Sequence, residues 1–228
     1  DACDVLSIPV ISGNVSLYNE TRDEAIYPTP VVGMLGLIED IAKRCTMPFK
    51  SEGDLVLVLG ERGDNLAGSE YLEVLHGKVA GRPSINLELE KRLQECLLAA
   101  IGEGILKSAH DCSDGGLLVA IAESCIVGGI GFEGELEIAG RLDGALFGEG
   151  QSRAVVSVEP GSLHRLRQIA TDHGVPLQRL GIVRGERFVI KGIIEVPLEE
   201  LADAWHHGLE RAMARLVTEA KQNGRATG

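Results

Sequence analysis

The sequence predicts a mixed α/β or α+β fold, because strand-like and helix-like segments alternate along it without a strict βαβ rhythm. Of its 228 residues, 44% are hydrophobic and 25% are charged, a balance typical of a globular protein with a substantial core. Glycine is frequent, at 29 residues, and aromatic residues make up only 4%. We therefore expect many tight turns and close backbone approaches.

Residues 1–46 are expected to be the tail of a domain whose beginning is absent from the chain. The apolar, β-branched segment 4–12 predicts a buried strand that ends in a turn at Ser12-Gly13-Asn14. The segments that follow predict a loop, a second strand and a short helical turn, over 19–30, 31–38 and 39–45. Two strands and a turn cannot form an independent domain.

From residue 47 to residue 228 the sequence predicts a complete α/β domain. The run Leu55-Val56-Leu57-Val58-Leu59 predicts a buried strand, and Ser69 is placed to cap a helix that extends to Leu75. Further helices are predicted over 87–107, 117–127, 162–173 and 198–221. Further strands are predicted over 130–138 and 153–158 and in a hairpin over 180–190, with glycine-rich loops over 60–68, 110–116 and 144–151.

Charge and cysteine usage narrow the class of protein. The formal net charge is −12, which argues against nucleic acids and anionic membranes as partners. The five scattered cysteines lack pairing or zinc-ligand spacing and indicate reduced thiols. The apolar runs are too short for a membrane helix. We therefore expect a cytoplasmic protein that meets phosphates through Mg²⁺ and backbone N–H groups.

The segment Ser12-Gly13-Asn14-Val15-Ser16 follows the first predicted strand directly. A glycine there lets a phosphate approach the backbone, where a Cβ would block it. The Asn14 carboxamide oxygen suits Mg²⁺, and the Ser16 hydroxyl suits a phosphate or substrate. On spacing alone, an ordinary turn explains the same residues.

Two later glycine motifs carry similar chemistry. Asp111 and Asp114 precede Gly115-Gly116 at a predicted helix start, where carboxylates can hold Mg²⁺ and free N–H groups can face phosphate. The alternative is a simple helix cap. In 147–153, a carboxylate, an amide and a guanidinium flank two glycines, a set that could bind the metal and the hydroxyl groups of a nucleotide. The alternative is a loop with Arg153 in solvent. The 60–68 loop lacks the Lys-Ser/Thr ending of a phosphate loop, and no convincing catalytic nucleophile is found.

Taken in order, these motifs resemble the phosphoribosylformylglycinamidine synthase family, within the aminoimidazole ribonucleotide synthetase superfamily. The resemblance rests on Ile8-Pro9-Val10-Ile11-Ser12-Gly13-Asn14-Val15-Ser16-Leu17-Tyr18-Asn19-Glu20, on Tyr27-Pro28-Thr29-Pro30, and on the later motifs at 68–72, 110–117 and 148–153. It implies that 1–46 end an ATP-binding subdomain and that 47–228 form the following C-terminal-like α/β domain.

The resemblance also implies a reaction and a set of site residues. The family uses ATP and Mg²⁺ to phosphorylate the amide oxygen of formylglycinamide ribonucleotide, and ammonia from glutamine then displaces phosphate to give the amidine. By resemblance, Gly13 touches ATP, Asn14 a Mg²⁺ ion and Ser16 the substrate. Four residues would line an auxiliary nucleotide and metal site: Asp111, Asp114, Glu149 and Gln151. The catalytic residues are expected upstream, so this part alone is expected to be inactive.

The implied partners are the upstream half of the same enzyme, a ribonucleotide substrate, and a glutaminase subunit with a small bridging subunit or a fused glutaminase domain. Other members of the superfamily stay open: selenophosphate synthetase, thiamine-monophosphate kinase and, less favoured by the C-terminal residues 225–228, a hydrogenase-maturation protein. A non-catalytic interaction domain is the alternative from a different class.

Overall fold

A computed structural model describes residues 1–14, 20–21, 24–26, 29–138 and 140–225, with side chains to residue 216. The chain divides into two compact units, Asp1–Arg44 (unit 1) and Cys45–Gly228 (unit 2). None of the helices in the described part of the chain combines the length and apolar character needed to cross a membrane.

Unit 1 contains little regular structure among its described residues. Helix α1 (Ala2–Val5) is followed by the antiparallel pair β1 (Glu20–Thr21) and β2 (Glu24–Ala25), and a 3₁₀ helix over Ile41–Lys43 is capped by Asp40. The predicted strands over 4–12 and 31–38 are wrong. Residues 31–38 have no regular structure, and the side chains of Val31 and Leu35 are 94% and 97% exposed. An apolar run forms a strand only when neighbouring backbone satisfies its N–H and C=O groups.

Unit 2 is built on a sheet of seven strands, which confirms the mixed α/β fold class. The strands are β3 (Leu55–Gly60), β4 (Leu106–Asp111), β5 (Phe132–Gly134), β6 (Arg153–Val158), β7 (Leu177–Val183), β8 (Arg187–Ile190) and β9 (Ile194–Pro197). Their spatial order is β4-β6-β3-β7-β5-β8-β9. Every pair is antiparallel except β5 with β8, which run parallel.

Helices cover both faces of this sheet. They are α2 (Glu70–His76), α3 (Leu87–Gly102), α4 (Gly116–Gly128), α5 (Leu142–Phe147), α6 (Leu163–Asp172) and α7 (Leu198–Arg225). Alternate residues of β3 enter two separate cores. Val56 and Val58 pack in the core that contains Ile121 of α4, whereas Leu55, Leu57 and Leu59 pack with α3 and α6. A strand buried on both faces is apolar at every position, which explains the uninterrupted run 55–59.

Three predicted elements differ from the structure. The helix expected over 87–107 ends at Gly102, and β4 begins at Leu106. A short helix, α5, occupies part of the loop expected over 144–151. Strands β7 and β8 form, but they do not pair as the expected hairpin because β5 lies between them, and β8 pairs instead with β9.

Candidate functional site

The Gly13–Asn14 motif of unit 1 lies in an irregular segment after α1, not at the end of the expected strand. Both residues are exposed, and among the described residues no heavy atom beyond the chain neighbours lies within 4 Å of the place a Gly13 Cβ would take. Ser16, the expected substrate residue, lies in 15–19, outside the described residues. Their roles toward ATP, Mg²⁺ and substrate stay predictions.

Two consecutive glycines in the left-handed region open helix α4. Gly115 is the N-cap residue with φ 77°, and Gly116 has φ 71°. A Cβ on Gly116 would lie 2.4 Å from the carbonyl oxygen of Gly148. The turn needs glycine both for its backbone angles and for the close approach of the 148–152 loop.

Glu149, expected in the auxiliary site, binds the beginnings of two helices. Its Oε1 accepts hydrogen bonds from the backbone N–H of Gly115 at 2.8 Å and of Glu70 at 2.9 Å. Gly115 precedes α4 and Glu70 is the first residue of α2, so both donors belong to the unpaired N–H groups of helix N-termini. A carboxylate there also meets the positive ends of the helix dipoles. In this structure Glu149 joins three segments of unit 2.

The two aspartates of the same turn point into solvent. Asp111, at the end of β4, has a side chain that is 74% exposed. A hydrogen bond from the Ser113 hydroxyl, with a smaller effect of His110, holds the pKa of the Asp111 carboxyl below its usual value. Asp114 is exposed. Both carboxylates are therefore open to a ligand from solvent.

A line of polar contacts not anticipated from the sequence runs beside this turn. The Nε2 atom of His110, whose side chain is 16% exposed, lies 2.8 Å from Oε2 of Glu123. Glu123 Oε1 accepts a hydrogen bond from the indole N–H of Trp205 at 3.4 Å. These contacts tie β4 and α4 to α7.

The loop from Gly148 to Ser152 is held by a buried arginine. Arg153 is 5% exposed, which excludes the reading that places it in solvent. Its Nε donates to the Gly150 carbonyl at 3.0 Å, and its Nη2 donates to the Gly148 carbonyl. Burial lowers the pKa of Arg153, an effect opposed by Cys112 and Asp64. Gln151 is exposed, and its Nε2 donates to the Glu149 carbonyl at 3.2 Å.

A cleft lies against the sheet, and Arg153 forms part of its lining. Its wall is mainly apolar and is formed by Val58, Leu117, Leu136, Ile138, Ala145 and Leu180. The rest of the lining is formed by Arg153 and by Gly60, Glu61, Arg62, Gly63, Asp64, Glu137 and Gln178. At the rim, Arg62 Nη2 and Glu137 Oε2 approach to 3.7 Å and join the 61–64 loop to residues 136–138.

The structure brings only part of the expected auxiliary site together. Glu149 meets the 113–116 turn through Gly115, whereas Gln151 contacts only the backbone of Glu149. Within the described residues, no three His, Cys, Asp or Glu side chains form a group with metal-binding spacing. The His110–Glu123 pair was missed because its two residues lie on different elements, 13 residues apart.

A family model described as AIR synthase related protein, C-terminal domain, matches residues 51–192, which is more than half of the chain. The chain belongs to this family. The match covers β3 through most of the seven-stranded sheet, so this family's fold is that of unit 2.

Relatives of this family member extend the similarity into unit 1. The phosphoribosylformylglycinamidine synthase subunit PurL of Caldanaerobacter subterraneus is 49% identical over 94% of this chain and 30% of its own length. The same subunit of Thermomicrobium roseum is 51% identical over 92% of this chain and 29% of its own length. The resemblance found in the motifs is thereby confirmed. The chain spans about 30% of the length of these relatives.

Solved structures of Thermotoga maritima PurL share the fold. The form complexed with FGAR has a TM-score of 0.61 at 23% identity, over 71% of this chain and 30% of its own. The form complexed with ATP has a TM-score of 0.57 at 21% identity, over 71% of this chain and 28% of its own. These matches confirm the fold class expected for the family.

Proposed function

We propose that this chain is the C-terminal part of an ATP-dependent carbon–nitrogen ligase of purine biosynthesis. The ligase would convert formylglycinamide ribonucleotide and ammonia, released from glutamine, into formylglycinamidine ribonucleotide in the cytoplasm. The observation that supports this best is 49% identity to a PurL subunit over 94% of the chain, which includes most of unit 1. A likeness confined to unit 2 would fit many members of the superfamily equally well.

The proposed chemistry needs ATP because an amide oxygen is a poor leaving group. Transfer of a phosphoryl group to that oxygen gives an iminophosphate, and attack of ammonia at the same carbon expels inorganic phosphate. Mg²⁺ would neutralise the charge that develops on the phosphoryl oxygens. In this proposal Gly13 lies against ATP, Asn14 binds Mg²⁺, and Ser16 binds the ribonucleotide. Gly13 and Asn14 are both exposed.

The same proposal assigns partners. The catalytic residues would come from an upstream half of the enzyme, and ammonia from a glutaminase subunit with a small bridging subunit, or from a fused glutaminase domain. The solved structure of PurLQS from Thermotoga maritima shares this fold, with a TM-score of 0.56. We expect the 228-residue chain alone to have no synthetase activity.

Asp111, Asp114, Glu149 and Gln151 would form an auxiliary nucleotide site in the complete enzyme. Asp111 and Asp114 are exposed and can bind Mg²⁺ through their carboxylates. Glu149 already accepts two backbone hydrogen bonds, so in this proposal it positions the Gly115 turn.

Reconstitution of this chain with the upstream half tests the proposal. The reconstituted enzyme should form ADP in a reaction that requires ammonia, Mg²⁺ and formylglycinamide ribonucleotide. Asn14→Ala should lower turnover and raise the Mg²⁺ concentration needed, while Gln168→Ala, which removes an exposed carboxamide on α6, should match the parent. Unchanged activity of Asn14→Ala across a Mg²⁺ series would contradict its metal role. A folded assembly that binds no ATP would favour the non-catalytic interaction domain.

A further inference from the structure

The cleft beside Arg153 is not explained by the proposed ligase chemistry. It lies within unit 2, between the sheet, α4, α5 and the 61–64 loop. None of the four unit 2 residues assigned above to the auxiliary site lines it. Its existence as an open, largely apolar space needs a separate reason.

Arg153 gives the cleft an unpaired donor. The side chain is 95% buried, and its hydrogen bonds in the described part of the chain come from Nε and Nη2, to the carbonyls of Gly150 and Gly148. Nη1 makes no hydrogen bond to a described residue, and it is not one of the fully buried atoms without a partner, so it is a donor available to the cleft that Arg153 lines. A ligand oxygen in the cleft could accept from this N–H group, and a hydrogen bond to a charged donor is stronger than one between neutral groups.

The charges around the cleft select the ligand's charge. Arg153 has no carboxylate within ion-pair distance in the described residues, and its two hydrogen-bond partners are neutral carbonyls. Nearby Asp64 offsets its charge in part, so it can attract at most one further negative charge. Glu61, Asp64 and Glu137 also line the cleft, against the single further cation Arg62, so a dianion or polyanion would be repelled. This pattern disfavours phosphate and ATP.

The apolar lining of the cleft favours a ligand with an apolar body. Six apolar side chains face the space, and they gain free energy when apolar atoms replace water against them. We propose that this cleft binds a small molecule with one carboxylate and an apolar body, the carboxylate accepting from Arg153 and the body lying against Leu136, Ala145 and Leu180. Guanidinium and carboxylate groups match in planarity and charge.

Titration of the 228-residue chain with benzoate, followed by ¹H–¹⁵N NMR, tests the proposal on the parent protein. Benzoate should shift the amides of residues that line the cleft, Leu136 and Ala145 among them, in a saturable manner. Benzamide has the same body and keeps an oxygen acceptor but has no charge, and it should bind at least about tenfold more weakly because the charge-assisted hydrogen bond becomes one to a neutral oxygen. Inorganic phosphate should leave these amides unshifted.

Two variants with matched controls complete the test. Ala145→Leu fills the cleft with a good helix former and should weaken benzoate binding at least about tenfold, whereas Ala204→Leu on exposed α7 should not. Arg153→Met should abolish the preference for benzoate over benzamide, whereas Arg165→Met, at the exposed pair with Glu103, should retain it.

The result on the parent protein decides the matter even if a variant fails to fold. Shifts at Leu136 and Ala145 that saturate with benzoate and not with phosphate support the proposal. Equal binding of benzoate and benzamide, shifts confined to other surfaces, or binding of phosphate in place of benzoate would each overturn it.

Discussion

Replacement of Glu149 should destabilise unit 2, although this side chain lies outside the hydrophobic core. The carboxylate accepts the backbone N–H groups of Gly115 and Glu70, at the N-termini of α4 and α2. Glu149→Ala removes the acceptor from both donors at once. Glu149→Gln keeps an oxygen acceptor of the same length and removes only the charge.

The size of each effect follows from these contacts. A hydrogen bond to a charged group contributes about 1.5–3 kcal/mol to stability. Because one oxygen serves both donors and the site is partly exposed, we take the lower end for each, and expect Glu149→Ala to cost about 3 kcal/mol. A negative charge near a helix N-terminus contributes about 0.5 kcal/mol, so Glu149→Gln should cost about 1 kcal/mol across two helices.

Urea unfolding of the 228-residue chain measures both losses. With a slope of about 2 kcal/mol per molar urea, the midpoint should fall by about 1.5 M for Glu149→Ala and about 0.5 M for Glu149→Gln. Glu210→Ala, an exposed site on α7, is the matched control and should change stability by less than about 0.5 kcal/mol.

Two outcomes would refute this reasoning. If Glu149→Ala unfolds at the same urea concentration as the Glu210→Ala control, the two hydrogen bonds do not stabilise the fold. If added Mg²⁺ stabilises the parent and Glu149→Ala abolishes that gain without a loss in metal-free buffer, Glu149 acts as a metal ligand and not as a cap.

Three further predictions concern other sites. Ser152→Gly should raise the melting temperature by about 3 °C, because Ser152 has φ 60° and a buried hydroxyl with no partner among the described residues; an unchanged or lower value in calorimetry would contradict this. Burial raises the pKa of Asp54, so the native state binds this proton more tightly and loses stability as the pH rises; urea midpoints from about pH 4 to about pH 7 should show Asp54→Asn gaining on the parent. Ile121→Ala should cost about 2–5 kcal/mol in urea unfolding, because Ile121 is fully buried.

Secondary-structure elements could be predicted from the sequence where their pattern depends on their own residues. The run 55–59 is apolar at each position because both faces of β3 are covered, and Ser69 accepts from the N–H of Leu72 as an N-cap should. Strand β4 was missed for the opposite reason. Ser108 lies buried in it, and only its hydroxyl contact with Ser157 at 2.6 Å, 49 residues away, makes that burial favourable.

The candidate site likewise has a part that could be predicted from local sequence and a part that could not. The glycine turn at 115–116 was predictable because left-handed backbone angles favour glycine locally. The cap formed by Glu149 depends on segments 34 and 79 residues away, and Arg153 is covered in part by Gly63 of a distant loop. Charged side chains in a glycine-rich loop look alike in sequence whether they bind a ligand or the protein's own backbone.

The order of the strands has a mechanical consequence. Within the described residues, β5 is the one strand that connects β7 to β8, and it does so with only three residues, Phe132–Gly134. The hydrogen bonds that join β8 and β9 to the rest of the sheet are therefore few, and the burial of Phe188 and Ile190 in the core with Ile121 supplies the remaining attachment, together with the packing of α7 on α4. Under tension applied to the C-terminal helix, β8 and β9 should separate from the sheet first, while the four adjacent strands β4, β6, β3 and β7 stay joined.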